Sequence, residues 1–287
     1  MNSMIYSAEC GGTLGEIFQG PMFTKEGTEI SIISALSKNM TKAVFRPGEY
    51  CNLESLGKIK VKKTLSNFFE KVSTSRIEGQ WHFDSDIVIG AGMSSSTADI
   101  IASLRCICRA LDIIPTLDNF IECLKDVERS DSVYIDVPCM YMSQQQKIVD
   151  LYRPIGKIYC IYALEQKRID TSKTREILIS HYNDEVKSYS ELSRKVRESF
   201  FDSNKIQVIN CSTHSADLSQ GVIPKKSYHS LKSKLKNASA DGMIVAHTGS
   251  LIGYLYASKP DDKNIAFAKD IFEEQGLQAC YGEIFDV

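Results

Sequence analysis

The stretch that most constrains the fold is DIVIGAGMSSSTADI, residues 86–100, in which an apolar run passes through a glycine turn into three serines. The apolar run, which follows WHFDSD, predicts a strand over residues 81–89, and the apolar spacing after the serines predicts a helix. Unpaired backbone N–H groups and the positive end of the helix dipole then meet at one point, which attracts phosphate. Many helices that bind nothing also begin after such a turn, so a purely structural role stays open.

The residue types in this turn suit a phosphate site, but the common phosphate loops do not match it. Glycines let a bulky polyphosphate approach the backbone, and a serine at the helix start can cap the helix or give its hydroxyl to a metal. The P-loop pattern GxxxxGK[ST] needs a lysine after its last glycine, where Met93 stands. The Rossmann pattern GxGxxG needs a third glycine where Ser95 stands.

Composition and charge favour a small-molecule partner. The chain has 287 residues, 43% of them hydrophobic, and a formal net charge of -2. This length allows one large or two modest domains, and the charge provides no basic surface for nucleic acid or for a membrane. The chain shows neither a secretion signal nor a run of about 18 apolar residues, so we expect a cytoplasmic protein without a membrane span.

The nine cysteines form no CxxC pair. Structural zinc sites and redox couples usually need that spacing, so we expect the thiols to be small buried apolar groups. They are Cys10, Cys51, Cys106, Cys108, Cys123, Cys139, Cys160, Cys211 and Cys280.

Apolar periodicity along the chain mixes helices with strands and predicts an α+β protein. Beyond residues 81–89, strands are predicted at 28–36, 42–45, 157–164, 241–249, 251–257 and 277–285. Helices are predicted at 58–72, 94–113, 116–128, 171–196 and 263–275, the third beginning after Pro115 with Thr116 as its N-cap. The pattern restarts after about residue 150, and Tyr152–Gly156 is the best candidate for a hinge between two lobes.

Three motifs, in the same order along the chain, resemble those of the GHMP kinases, the family of galacto-, homoserine, mevalonate and phosphomevalonate kinases. Residues 92–98, GMSSSTA, resemble the family motif GLGSSAA. Residues 8–20, AECGGTLGEIFQG, look like the N-terminal motif of the L-threonine kinase branch, which acts in cobalamin synthesis. Residues 241–250, DGMIVAHTGS, are similar to that branch's C-terminal ADG…AHSGT pattern.

The resemblance implies a two-lobed fold and a nucleotide site. The N-terminal lobe, residues 1–153, would resemble ribosomal protein S5 domain 2 and bind the nucleotide, and residues 154–287 would form a ferredoxin-like lobe. The resemblance implies that a motif serine helps to hold Mg²⁺, with Ser96 as the first choice and Ser95 as the second. It also implies that the phosphates of ATP lie against Gly90, Ala91, Gly92, Met93, Ser94, Ser95 and Ser96.

The segment ERSDS, residues 128–132, stands where the branch has E-P-T-D-G. The resemblance implies that Asp131 orients or deprotonates the acceptor hydroxyl and that Glu128 is a second Mg²⁺ ligand. A solvated surface charge is the alternative for Glu128. Arg129 and Ser132 replace the Pro and Gly of the branch. These two differences bear on the identity of the acceptor more than on the type of reaction.

The two outer motifs supply the expected acceptor contacts. Glu16, after Gly15, would pair with an amino group of the acceptor, although it could equally satisfy backbone N–H groups in a turn. Thr248 and Gly249 would approach the phosphates or the acceptor, where most proteins would have a plain hairpin turn. We expect His247, beside that turn, to be structural.

These observations give three hypotheses. The first is an ATP- and Mg²⁺-dependent kinase that converts L-threonine to O-phospho-L-threonine. The second keeps the kinase and changes the acceptor to another hydroxy amino acid or to a precursor of a secondary metabolite. The third is a non-catalytic nucleotide-binding regulator, against which the acid at position 131 argues. A homodimer is left open, and no nucleic acid or membrane partner is expected.

Overall fold

The structure is a computed structural model that describes residues 4–49, 52–73, 75–165 and 174–285. Within these ranges the strands are β1 (Tyr6–Thr24), β2 (Gly27–Pro47), β3 (Gly79–Ser85), β4 (Cys139–Met142), β5 (Lys147–Leu151), β6 (Ile158–Leu164), β7 (Gly242–Val245), β8 (Leu251–Tyr256) and β9 (Ala279–Ile284). The helices are α1 (Ile59–Lys71), α2 (Ser95–Ala110), α3 (Leu117–Leu124), α4 (Thr174–Asp184), α5 (Val186–Phe201), α6 (Lys205–Ser219), α7 (Tyr228–Ser233) and α8 (Asp262–Glu273).

A long antiparallel hairpin of β1 and β2 organises the sheet. Its register runs from Tyr6 opposite Phe45 to Thr24 opposite Gly27, with irregularities between residues 11 and 18. Such irregularities bend a strand and redirect its side chains. Gly15, with φ of 83°, lies in this bent part, which places Thr13 and Glu16 at the cleft described below.

The described strands form one antiparallel sheet in the order β1-β7-β8-β6-β9-β2-β4-β5, with β3 also paired to β2. Because β1 pairs with both β7 and β2, six of these strands close on themselves like a barrel. Strands before and after residue 153 therefore share one sheet. The division into lobes at that residue stays a prediction.

Helix α2 is the central helix of the N-terminal half. It packs against β1, β2 and α1, and eleven of its sixteen residues are buried. The main apolar core continues across residue 153, since it contains Phe45 together with Phe200 and Ile284. A second apolar cluster, built around Tyr254 and Phe272, lies under α8.

Most predicted elements are present, and the exceptions have local causes. The strand predicted over 81–89 ends at Ser85, because residues 86–92 turn toward α2. The helical region predicted over 171–196 is two helices, α4 and α5, which meet at Glu185, and its first three residues lie outside the described ranges. The helix predicted to reach residue 128 ends at Leu124, and its Thr116 cap is confirmed.

Most of the described cysteine side chains are buried. Seven of the described cysteines are buried as predicted, Cys280 is exposed, and Cys51 lies outside the described residues. Burial raises the pKa of the Cys10 thiol to about 12 and that of Cys106 to about 11. Across the described part of the chain, no helix combines the length and the apolar character that a membrane span requires.

Candidate active site

A cleft of about 550 Å³ lies at the start of α2, between the glycine-serine turn, the bent part of β1 and residues 127–131. Carboxylates, cations and hydroxyl groups line it together, which is typical of a site for a charged ligand. The lining residues used below are Glu16, Gln19, Lys60, Gly90, Gly92, Met93, Ser94, Ser95, Ser96, Thr97, Glu128, Arg129, Asp131, Arg175 and Thr248.

The turn before α2 has the backbone of an anion site. Gly90, Gly92 and Ser94 have φ angles of 78°, 79° and 61°, so every second residue is left-handed. Alternation of this kind turns successive N–H groups toward one point. Ser94 is the N-cap residue of α2, yet its side chain forms no cap hydrogen bond, so the first N–H groups of the helix stay without a side-chain acceptor.

The turn is held in place by a backbone contact with residues 246–250. The carbonyl of Ala91 accepts hydrogen bonds from the N–H groups of Ser250 and Leu251, at 3.0 and 3.3 Å. A Cβ on Gly92 would lie 2.5 Å from the Cβ of Ala246, so only glycine permits this approach. The Nζ of Lys225 donates to the carbonyl of Gly249 at 2.6 Å and fixes the second loop.

Asp131 is the best candidate for a base in the cleft. Its Oδ2 accepts a hydrogen bond of 2.5 Å from Ser94 Oγ, which in turn lies 2.8 Å from Thr13 Oγ1. Burial and the charge of Glu16 raise the pKa of Asp131 to about 6, against the opposing effects of the Ser94 hydrogen bond and the charge of Arg129. A carboxylate with this pKa is ionised at neutral pH and is more basic than an ordinary aspartate.

Glu128 and Ser96 place a carboxylate and a hydroxyl group side by side next to the turn. Glu128 Oε2 accepts from Ser96 Oγ at 2.8 Å, and Oε1 accepts from Thr97 Oγ1 at 2.7 Å. The side chain of Glu128 is only 6% exposed, and Lys60 Nζ lies 2.7 Å from its Oε2. A solvated surface charge is therefore the wrong description of Glu128.

This donor set fits Mg²⁺. The ion prefers hard oxygen ligands and commonly takes one or two from the protein and the others from phosphates and water. A carboxylate and a hydroxyl group beside an anion site match that pattern. Among the described residues no group of three His, Cys, Asp or Glu side chains could enclose a metal ion, so the protein offers this pair rather than a closed cage.

Glu16 is held by hydrogen bonds to one of its carboxylate oxygens, Oε2, whereas its Oε1 has no donor among the described residues. Its Oε2 accepts hydrogen bonds from the backbone N–H of His247 at 2.8 Å and from His247 Nδ1 at 3.0 Å. His247 Nε2 lies 2.9 Å from Ser215 Oγ, which also accepts the N–H of Gln19. Because His247 is only 2% exposed, its place is structural and it does not face the cleft.

The structure brings most of the predicted site residues together. Ala91, Gly15 and Gly249 are buried behind the cleft wall, where they shape the backbone, whereas Thr248 lines the cleft. Thr13 and Lys60 are not predictable as site residues from the residue pattern. Thr13 lies inside the N-terminal motif at residues 8–20, but Lys60 is one of several lysines in α1 and nothing in the sequence distinguishes it.

Comparisons with known sequences find similarity to kinases. Residues 60–144 match the family model described as the GHMP kinases N terminal domain. The chain is 24% identical over 264 residues to an L-threonine kinase of Salmonella typhimurium, with 89% of this chain and 84% of that protein covered.

Solved structures show the same fold. A homoserine kinase from Cytophaga hutchinsonii has a TM-score of 0.71 at 12% identity, with 99% of this chain and 96% of that chain covered. A galactokinase from Lactococcus lactis, complexed with galactose, has a TM-score of 0.67 at 10% identity, with coverages of 99% and 94%. These likenesses extend over the whole chain, across residue 153.

Proposed function

Because this chain belongs to the GHMP kinase family, we propose that it transfers the γ-phosphoryl group of ATP to the side-chain hydroxyl of an amino acid, L-threonine first. The observation that carries the proposal is the position of Asp131. Its carboxylate, with a raised pKa, shares one cleft with the uncapped start of α2. Phosphoryl transfer needs such a base beside a phosphate site, and little other covalent chemistry from the protein.

The nucleotide phosphates would bind at the glycine-serine turn. The left-handed residues at 90, 92 and 94 line the cleft and would direct N–H groups toward the phosphates, and the dipole of α2 would add positive potential at the same place. Ser96 and Glu128 would hold Mg²⁺ there. When bound, the ion would neutralise the oxygens of the transferred phosphate.

Asp131 would accept the proton of the acceptor hydroxyl. The hydroxyl oxygen then bonds to the γ-phosphorus, the bond from that phosphorus to the bridging β-γ oxygen breaks, and ADP leaves. Ser94 donates a hydrogen bond to Asp131 and so orients the carboxylate, while Thr13 lies within hydrogen-bond distance of Ser94.

The amino-acid acceptor is suggested by Glu16 and by the L-threonine kinase relative. Glu16 Oε2 is bound by His247, and among the described residues none donates to its Oε1, so this oxygen can accept an ammonium group. The homoserine kinase with the same fold makes L-homoserine the second candidate acceptor.

The direct test is turnover of the purified protein with ATP, Mg²⁺ and L-threonine. We expect O-phospho-L-threonine by mass spectrometry, with one ADP released for each product molecule. L-homoserine, L-serine, mevalonate and galactose should be tested in parallel. If ATP binds and none of the hydroxy amino acids is phosphorylated, the proposed acceptor class is wrong.

Asp131→Asn tests the role of the base. We expect turnover to fall by about 10²- to 10⁴-fold, because the acceptor proton loses its acceptor, while ATP binding is kept. Burial disfavours the charged form of Asp131, so the variant should be at least as stable as the wild type at pH 7. Thermal unfolding and nucleotide titration provide the controls. Unchanged turnover would remove Asp131 from the mechanism.

A further inference from the structure

Arg129 is a cation of the cleft lining that has no role in the proposed phosphate site or as the proposed base. It lines the cleft, and among the residues that the structure describes none accepts a hydrogen bond from its guanidinium or forms an ion pair with it. The other two cations of the lining are already engaged. Lys60 Nζ lies 2.7 Å from Glu128, and Arg175 lies 3.1 Å from Glu29.

Arg129 shares the cleft lining with the proposed base, Asp131. It lies in the chain between Glu128 and Asp131, and its charge acts on Asp131 and on Tyr182. Tyr182 OH accepts a hydrogen bond of 3.0 Å from Gln19, which also lines the cleft. Arg129, Gln19 and Asp131 therefore line one cleft, within which the charge of Arg129 acts on the Asp131 carboxylate.

Glu16 provides the opposite charge in the same lining. Its charge acts on the same two residues, Asp131 and Tyr182, as that of Arg129 does. His247 holds Glu16 by one oxygen, and the other oxygen has no donor among the described residues. The cleft thus presents the Oε1 atom of Glu16 and the guanidinium of Arg129 beside Asp131, and among the described residues neither group has a hydrogen-bond partner.

We propose that Arg129 binds the α-carboxylate of the acceptor, so that the enzyme requires a hydroxy amino acid with a free carboxylate and a free amino group. The inference rests on the proposed function and names the acceptor class more narrowly. A planar guanidinium binds a carboxylate through two parallel hydrogen bonds, which a lysine cannot reproduce. The ammonium group of the same acceptor pairs with Glu16, and its side-chain hydroxyl faces Asp131.

The experiment compares L-threonine with L-threoninamide in the full-length wild type and in Arg129→Gln. The assay is run at pH 8, where Asp131 is ionised whether or not the nearby positive charge is present. We expect the wild type to disfavour the amide by about 10- to 100-fold in kcat/KM, the range of a charge-assisted hydrogen bond. Arg129→Gln should raise the KM for L-threonine by a similar factor and lose the preference for the free acid.

The KM for ATP distinguishes a contact of Arg129 with the acceptor from a contact of Arg129 with the nucleotide phosphates. We expect the KM for ATP to change by less than about twofold in Arg129→Gln, since one contact to the acceptor does not alter nucleotide binding. A raised KM for ATP with an unchanged KM for L-threonine would place Arg129 on the phosphates and overturn the proposal. A variant that still prefers the free acid would overturn it as well.

Three further variants complete the test. Arg129→Lys should recover only part of the preference for the free acid, because lysine keeps the positive charge but lacks the planar pair of N–H donors. Arg194→Gln, on the exposed side of α5 where Arg194 pairs with Glu198, should behave as the wild type. If Arg175→Gln alone abolishes the preference, the carboxylate belongs to Arg175 and the proposal is wrong. If no hydroxy amino acid is phosphorylated by the wild type, the proposed function itself fails.

Discussion

At the scale of single residues, hydroxyl groups determine how the carboxylates of the cleft behave. Ser94 donates to Asp131, whereas Ser96 and Thr97 donate to Glu128. The three hydroxyls come from four consecutive residues at the start of α2, yet they serve two different carboxylates. The helix start therefore orients both the proposed base and the proposed metal ligand.

The pH dependence of turnover tests the contact between Ser94 and Asp131. Because Asp131 must be ionised to accept a proton and its pKa is about 6, kcat/KM should fall as the pH drops through about 6. The Ser94 hydrogen bond lowers this pKa, so Ser94→Ala should move the acid limb upward, by about one pH unit.

Ser94→Gly is the matched control for that shift. Residue 94 has a φ of 61°, which glycine adopts more easily than alanine. Both variants lack the hydroxyl group, so both should shift the acid limb equally, while the glycine variant should be the more stable. A shift confined to the alanine variant would assign the effect to the backbone.

The Mg²⁺ dependence of turnover tests Ser96. Removal of a hydroxyl ligand should raise the Mg²⁺ concentration for half-maximal activity by at least about tenfold in Ser96→Ala. Glu128→Gln should act in the same direction because the carboxylate charge is lost. Ser95→Ala should have the smaller effect of the two serine variants. The reverse order would transfer the metal ligand to Ser95.

At the scale of secondary-structure elements, the site depends on contacts between loops. The turn at 90–92 packs against the loop at 246–250, and the bent part of β1 brings Thr13 and Glu16 beside them. The N–H of Thr13 donates to the carbonyl of Met93 at 3.1 Å, which joins β1 to the turn. Three motifs separated in sequence thus meet through backbone contacts.

Gly92→Ala tests this packing, with Gly90→Ala as the matched control. Both glycines have φ near 80°, so each substitution costs about 1 kcal/mol in conformational strain. Only the Cβ at 92 would collide, with Ala246 at 2.5 Å, whereas nothing lies within 4 Å of one at 90. We expect Gly92→Ala to lose about 1–3 kcal/mol more than Gly90→Ala in denaturant unfolding. Equal losses would contradict the loop contact.

At the scale of the whole molecule, one sheet and one main core connect the two halves of the chain. Strand β2 pairs with β9, and β1 pairs with β7, so neither half keeps all its pairs alone. Phe200, from the second half, stacks on Tyr152 at a centroid distance of 4.6 Å and belongs to the same core as Phe45. From this shared sheet and core we expect the two halves to unfold together.

Thermal unfolding followed by two probes tests this cooperativity. Trp81 is the only tryptophan and reports on β3, whereas far-ultraviolet circular dichroism reports on helices throughout the chain. We expect coincident transitions, and Phe200→Ala should lower both by roughly 5–15 °C. Phe201→Ala removes a side chain that is 87% exposed and should change neither. A tryptophan transition that stays in place in Phe200→Ala would show independent halves.

Much of the fold could be predicted from the sequence because it is encoded locally. Apolar periodicity gives α1, α2, α8 and the strands β6 and β8, and Thr116 marks a helix start. Strand β1 was not predicted as a strand, because its four glycines, at positions 11, 12, 15 and 20, break the alternation. Helix α6 was missed because polar residues interrupt its apolar pattern.

The sequence by itself determined the glycine turn at residues 90–92 and the helix that follows it. It also determined the resemblance to the GHMP kinases, which three short motifs carry. The tertiary structure decided which side chains meet: Ser94 with Asp131, Lys60 with Glu128, and His247 with Glu16, across 37, 68 and 231 positions of the chain. Backbone conformation follows from neighbouring residues, whereas contacts over such separations exist only after the sheet and its core have packed.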